Sequence, residues 1–211
     1  IQSAEGSLQI VDSCFKLDQQ FIRQVKSMTD YQHIIVDSPL ESVSRITLNR
    51  PDSRNALNNV IRSEIYSTLE ANDNDDAIRV TIIRGAGQAF CAGYDLKQNS
   101  NEDRPFHTAG GDGSWARHVV EGAFRVWDLA KPVIAQVHGY CLAGGTELAT
   151  SCDLVYVAED AKIGYPVVRS MSPPDNQFFP WVVGMRNAME MMLTGDAISG
   201  TDAANYGFAN R

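Results

Sequence analysis

Most of what would mark a specialised chain is missing here. Cysteine is scarce: four in 211 residues, at 14, 91, 141 and 152, with no CxxC pair. A chain of this length buries roughly 70% of its extended surface, enough for a core without a disulfide framework or structural metal. Reduced thiols are the simplest reading. A basic excess is also missing, with 18 Lys and Arg against 26 Asp and Glu, a net charge of -8 and a pI near 4.9. The cations are scattered and form no stripe, so nucleic acid is not expected as a partner. No apolar run approaches the ~20 residues of a membrane helix, and no membrane association is expected. The opening IQSAEGSLQI has no basic segment followed by an apolar one, so no secretory signal and a cytoplasmic location are expected. It also lacks an initiating Met, so residue 1 is read as an internal start.

Chemical signatures are equally few. There is no Walker loop, HExxH, GxSxG or GxGxxG after a strand. His33, His107, His118 and His138 are dispersed with no i, i+4 pair, which argues against a metal site. Asp73, Asp75 and Asp76 read as a solvated turn, because EF-hand spacing and its closing Glu are absent. Cys91 has no His close in sequence and is not read as a nucleophile.

What is present is an ordinary globular composition, 44% hydrophobic, 21% charged and 9% aromatic. Residues 1–30 are polar and irregular, and Phe15, Phe21, Ile22 and Val25 suggest a short helix over 15–27. This is read as a lead-in to one domain over 31–211. His33–Asp37 and Val43–Asn49 predict a strand pair. Asn58 reads as an N-cap for a helix whose Ile61, Ile65 and Leu69 form a buried stripe. Strands are expected at 79–84, 133–137 and 154–158, and helices at 115–129, 144–151, 182–193 and from Thr201 as cap to 206. The methionines of 182–193 read as core filler. Residues 98–114, rich in Asn, Asp and Gly, read as a mobile loop. The alternation of strand and helix predicts an α/β fold with mainly parallel strands and no fixed-period repeat.

Two glycine-bearing segments stand out, Phe90–Lys97 (FCAGYDLK) and His138–Glu147 (HGYCLAGGTE). Glycine lets a ligand approach the backbone closely. The first turn of a helix leaves N–H groups unpaired at the positive end of the dipole. Two such donors facing each other would hold a developing oxyanion. Glu147, three residues into the second helix, would lie beside it. The plainer reading is tight strand–helix packing, with Glu147 simply favourable near a helix start.

These segments also carry a family resemblance. ITLNRPDSRNALN (46–58), GQAFCAGYDLK (87–97), KPVIAQVHGYCLAGGTELATSCDLVYVAEDAKIG (131–164) and VGMRNAMEMMLTGDAISGTDAANYGFANR (183–211) together resemble the enoyl-CoA hydratase/isomerase, or crotonase, family. The resemblance implies a crotonase-like spiral of ββα units with the family's C-terminal helical segment largely missing. It implies an acyl-CoA substrate, with CoA as part of the substrate and no further cofactor, and assembly as a homotrimer or hexamer. It implies a thioester enolate held by the backbone N–H groups of Tyr94 and Gly144. The CoA moiety would run along Arg54, Asn55, Ala56 and Leu57, then Ala92, Gly93, Asp95, Leu96 and Lys97, with Tyr140 and Val167 nearby. Arg54 or Lys97 could meet its phosphates, or either could be a surface charge.

The same resemblance places one catalytic glutamate at Glu147 and a second at position 167, where this chain has Val167. A valine transfers no proton. Asp175, eight residues on, stands where an aspartate does chemistry in dienoyl-CoA isomerases and aromatic-acyl-CoA dehalogenases, so the resemblance makes Glu147 and Asp175 a candidate working pair. Its other reading is a turn residue after two prolines. Trp181, Phe178 and Phe179 are candidates for shaping an acyl pocket, with core packing the expected role of Trp181. The expected activity is hydratase or isomerase chemistry. The alternatives are a hydrolase, C–C-cleaving or dehalogenase-type enzyme using Asp175, and a catalytically degenerate acyl-CoA binder.

Overall fold

A computed structural model describes residues 31–97, 114–170 and 178–211. The expected helix over 15–27, the expected 98–114 loop up to residue 113, and Asp175 lie outside these residues, while Ser114 opens a helix. His33–Arg211 packs as one unit. It begins with the expected hairpin, β1 (Ile34–Leu40) and β2 (Val43–Leu48), paired antiparallel. The chain then makes a 3-10 turn at Pro51–Ser53 and enters α1 (Asn59–Asn74). The Asn58 side chain accepts from the Ile61 N–H at 2.9 Å, as an N-cap should. Ile61, Ile65 and Leu69 are all buried.

From here the chain repeats one unit: a strand, a second short strand, and a helix. These are β3 (Val80–Gly85), β4 (Ala89–Cys91) and α2 (Ser114–Trp127). Then come β5 (Val133–Val137), β6 (Tyr140–Leu142) and α3 (Gly144–Ser151). The third unit is β7 (Leu154–Val157), β8 (Lys162–Gly164), then α4 (Phe179–Val182) and α5 (Met185–Thr194). Finally β9 (Ala197–Ser199) leads to α6 (Gly200–Tyr206). The first strand of each unit joins the larger sheet, ordered β1-β2-β3-β5-β7, and the second joins a smaller one, ordered β4-β6-β8-β9. Apart from β1 with β2 and β8 with β9, neighbours are parallel. This is the spiral of ββα units.

Several expectations need correction. The helix expected over 182–193 is two pieces, because Gly184 at φ 77° breaks it. Of the methionines offered as core filler, Met191 is buried while Met185 and Met189 are exposed. Trp181 is 84% exposed and packs in no core, whereas Phe178 and Phe179 are buried. The cap of α6 is Ser199, whose side chain accepts from the Asp202 N–H at 3.0 Å, rather than Thr201. The small sheet was not expected as a sheet at all. Its strands are three residues long, and it carries the site.

Candidate active site

Three parallel strands of the small sheet, β4, β6 and β8, lie side by side with Cys91 opposite Cys141 and Leu142 opposite Gly164. Their C-terminal ends therefore share one edge, the side on which parallel α/β sheets present ligand sites. β4 is followed within three residues by Gly93 and Tyr94, β6 runs directly into Ala143 and Gly144, and β8 is followed by Tyr165.

The two glycine turns adjoin. A Cβ built on Gly93 would stand 3.0 Å from the Ala143 Cβ and 3.3 Å from the Gly144 nitrogen. One built on Gly144 would meet the Tyr94 ring at 2.7 Å. Gly93 has φ +106°, open to glycine and costly for other residues. Ala143 is strained too, at φ 48° and ψ -120°. It is held there by its N–H, donated to the Gly164 carbonyl at 2.9 Å, and by its own carbonyl, which accepts from Thr146 and Glu147. Gly144 is the first residue of α3, so its N–H has no acceptor within the helix and sits at the positive end of the dipole.

Every residue of α3 is buried, and Glu147 is 2% exposed. Its Oε2 accepts from the Tyr94 hydroxyl at 2.5 Å, and its Oε1 from the Tyr165 hydroxyl at 3.2 Å. Arg62, itself buried in α1, places its guanidinium 5.1 Å from the centre of the Tyr94 ring, a cation–π distance. Burial, and then the neighbouring Glu147 carboxylate, push the Tyr94 phenol well above its ordinary pKa, so it stays a neutral donor. Beside Glu147 lies a narrow cavity lined by Leu57, Tyr66, Tyr94, Gly144, Leu148 and Ser151, among others. It offers about 10 Å³ to a solvent molecule, room for one water.

The segments expected along CoA are joined by backbone pairing. Ala92 N–H donates to the Arg54 carbonyl at 3.0 Å, Leu57 N–H to Gly93 at 2.8 Å, and Asp95 N–H to Leu57 at 3.0 Å. Asn55 is wholly buried, and its side chain is spent on the fold: Oδ1 accepts from Arg50 N–H, while Nδ2 donates to the carbonyls of Ala86 and Ala89. Asp95 is also engaged, by Arg50 Nη2 at 2.8 Å and by the Lys97 N–H at 3.0 Å. Burial opposes ionisation of Asp95, but the Lys97 N–H and the Arg50 guanidinium outweigh it and hold its pKa below the usual value. Ala56 is half-buried, and its carbonyl accepts from Arg50 Nη1 at 2.5 Å. Arg54 rests over the Tyr140 ring at 5.4 Å, both exposed, and Leu96 and Lys97 are exposed as well. Val167 is half-buried in a 3-10 turn at Pro166–Arg169, two residues beyond Tyr165.

Residue-by-residue reading missed Arg50, Arg62, Tyr165 and the side chain of Tyr94. Arg50 and Arg62 carry no local motif. The tyrosines had one available signal, in that each follows a glycine-bearing strand end. Cys91 is buried beside Glu147, and burial pushes its thiol up to about 12, which removes it as a nucleophile near neutral pH. Among the described residues no three His, Cys, Asp or Glu are placed to hold a metal ion, and no helix is long and apolar enough to cross a membrane.

The ββα spiral, with its two glycine turns adjoining at one sheet edge, is the crotonase-type α/β fold. The family model for enoyl-CoA hydratase/isomerase covers residues 39–211. The chain belongs to the enoyl-CoA hydratase/isomerase family. It is 35% identical over 184 residues to a probable enoyl-CoA hydratase of Rhizobium meliloti strain 1021, covering 86% of this chain and 68% of that one. It is 34% identical over 187 residues to the mevalonyl-coenzyme A hydratase of Aspergillus fumigatus, covering 85% and 66%. The crystal structure of an enoyl-CoA hydratase/isomerase from Xanthobacter autotrophicus Py2 aligns with a TM-score of 0.76 at 37% identity, over 86% of this chain and 66% of that one. The chain thus spans about two thirds of the length of these relatives.

Proposed function

We propose that this protein transforms the acyl part of an unsaturated acyl-CoA thioester, as an enoyl-CoA hydratase or isomerase. The thioester oxygen would accept from the backbone N–H groups of Tyr94 and Gly144, and Glu147 would move the proton. The observation that carries this reading is the placement of a buried carboxylate on the same helical turn as Gly144, against the Gly93–Tyr94 turn. Each N–H, aimed at an oxyanion in a water-poor site, is worth about 2.7–4 kcal/mol of transition-state stabilisation. CoA would follow the paired 54–57 and 92–97 segments, with Arg54 or Lys97 toward its phosphates and Tyr140 beneath Arg54.

For isomerisation, Glu147 takes a proton from one carbon of the enoyl chain. The electron pair spreads to the held thioester oxygen, and the same proton returns at the far carbon as the double bond migrates. For hydration, Glu147 takes a proton from a water as the oxygen adds to the β-carbon, and a proton is delivered to the α-carbon. Val167 carries no proton, so the second acid–base role falls to Glu147 itself, as in single-base isomerisation, or to Asp175. No cofactor beyond the CoA of the substrate is called for.

The test is incubation with 2-enoyl- and 3-enoyl-CoA thioesters, following the conjugated enoyl-thioester absorbance. Hydration lowers it and isomerisation of a 3-enoyl substrate raises it. Glu147→Gln should cut the rate by about 10²–10⁴. An unchanged rate in that variant overturns the assignment. The alternative chemistries are probed by Asp175→Asn over a panel of acyl-CoA and diketone substrates. CoA binding by calorimetry without turnover of any of them would mark a degenerate member. Assembly as a homotrimer or hexamer belongs to the same reading; it is supported by the exposed apolar residues Trp181 on α4 and Met185, Met189 and Leu193 on α5 and checked by sedimentation.

A further inference from the structure

The Glu147 carboxylate is gripped from two sides by groups that arrive independently. β6 leads into its helix, and the strands flanking β6, β4 and β8, lead to Tyr94 and Tyr165. One hydroxyl donates to each oxygen, Tyr94 to Oε2 and Tyr165 to Oε1. A glutamate side chain has three rotatable bonds, and pinning both oxygens leaves the carboxylate one orientation. Both rings are themselves fixed. Tyr94 lies against Gly144 on one side, with Arg62 over its ring, and Tyr165 is 2% exposed.

We propose that Tyr94 and Tyr165 are positioning residues whose hydroxyls hold Glu147 in one orientation as the carboxylate. For its catalytic consequence this rests on the function proposed above; the carboxylate itself titrates whether or not a substrate turns over. The physical balance is between burial, which disfavours the charged form, and hydrogen bonds donated to it, which favour it. The other ionisable groups placed around it are Arg62 and Tyr66 on α1 and the buried Cys91 of β4. α3 carries no second ionisable side chain. Tyr94 and Tyr165 each end a hydrogen bond on a Glu147 oxygen.

The experiment is a pH titration of the full chain labelled with 13C at the glutamate carboxyl carbons, with Glu147→Gln identifying the Glu147 resonance. Tyr94→Phe and Tyr165→Phe keep each ring and remove one donor. Each should raise the Glu147 midpoint by about one pH unit, and the pair by more, because a hydrogen bond to a charged group is worth roughly that much. An unmoved midpoint in Tyr94→Phe, with the melting temperature retained, overturns the proposal even if Tyr165→Phe fails to fold. In turnover the signature is a displaced acid limb: about tenfold lower kcat/KM on that limb, restored at higher pH, with KM little changed. A loss equal at all pH values points to a packing role and also overturns it. A midpoint that shifts in a protein turning over no thioester keeps the proposal and rejects the function.

Discussion

A Cβ placed on Gly145 would stand 2.3 Å from the carbonyl oxygen of Cys91. That oxygen belongs to the backbone of β4, so it cannot swing aside as a side chain would. Glycine at 145 is therefore what lets α3 pack against the strand that precedes Tyr94. Gly145→Ala should cost about 1–3 kcal/mol or more in urea denaturation, as overpacking does. It should also depress turnover beyond what the lost stability explains, because the two turns are pushed apart. A variant with wild-type stability and activity would show that the two segments slide freely.

The Asn55 side chain makes three bonds to backbone, one to Arg50 in the turn before α1 and two to Ala86 and Ala89 beyond β3. Asn55→Ala strands one N–H and two carbonyls in a buried place. The expected loss is about 2–4 kcal/mol, since each unsatisfied buried group costs about 1–3 kcal/mol and the site relaxes in part. Thermal unfolding reads it directly.

Asp95 ties the same turn to the 92–97 segment through Arg50. Its pKa is depressed in the folded state. Near and below pH 4 the unfolded chain therefore binds the proton more readily, and stability rises with pH there. The contribution of Asp95 is fully present above the unfolded value and is lost as pH falls through the folded one. Asp95→Asn should cost roughly 1–3 kcal/mol at pH 7. The gap between wild type and variant should narrow below about pH 4. A gap independent of pH would show that the carboxylate charge is not what matters.

Cys91, Cys141 and Cys152 are buried, and burial raises all three thiols. Iodoacetamide at pH 8 should leave these three unmodified in the native protein and alkylate them after denaturation, as read by peptide mass spectrometry. Rapid labelling of Cys91 would mean that the strand leading to Tyr94 opens readily.

The elements that could be read from sequence are those whose signal is local. Asn58 caps α1 within three residues, and Ile61, Ile65 and Leu69 lie one turn apart. Val133–Val137 and Gly144–Ser151 came out residue for residue. The small sheet could not be read this way. Three residues are too few to show alternation, and the partners are distant in sequence, Cys91 with Cys141 and Leu142 with Gly164. The site divides along the same line. Gly93, Gly144 and Glu147 were legible because turn and helix-start chemistry is written in adjacent residues. Tyr165 was not, since nothing near it in sequence shows that its hydroxyl reaches Glu147, eighteen residues back. Trp181 was misread because a large apolar side chain reads as core from its type alone, whereas on α4 it is 84% exposed.

The helix that holds Glu147 has no outward face: all eight of its residues are buried. Drift in this stretch is therefore confined, since any enlarged side chain meets the core or the cavity. A change in what the neighbouring cavity accepts is therefore accommodated by the walls that frame the helix, at Leu57, Tyr94 or the inner side of α2, rather than by the helix itself.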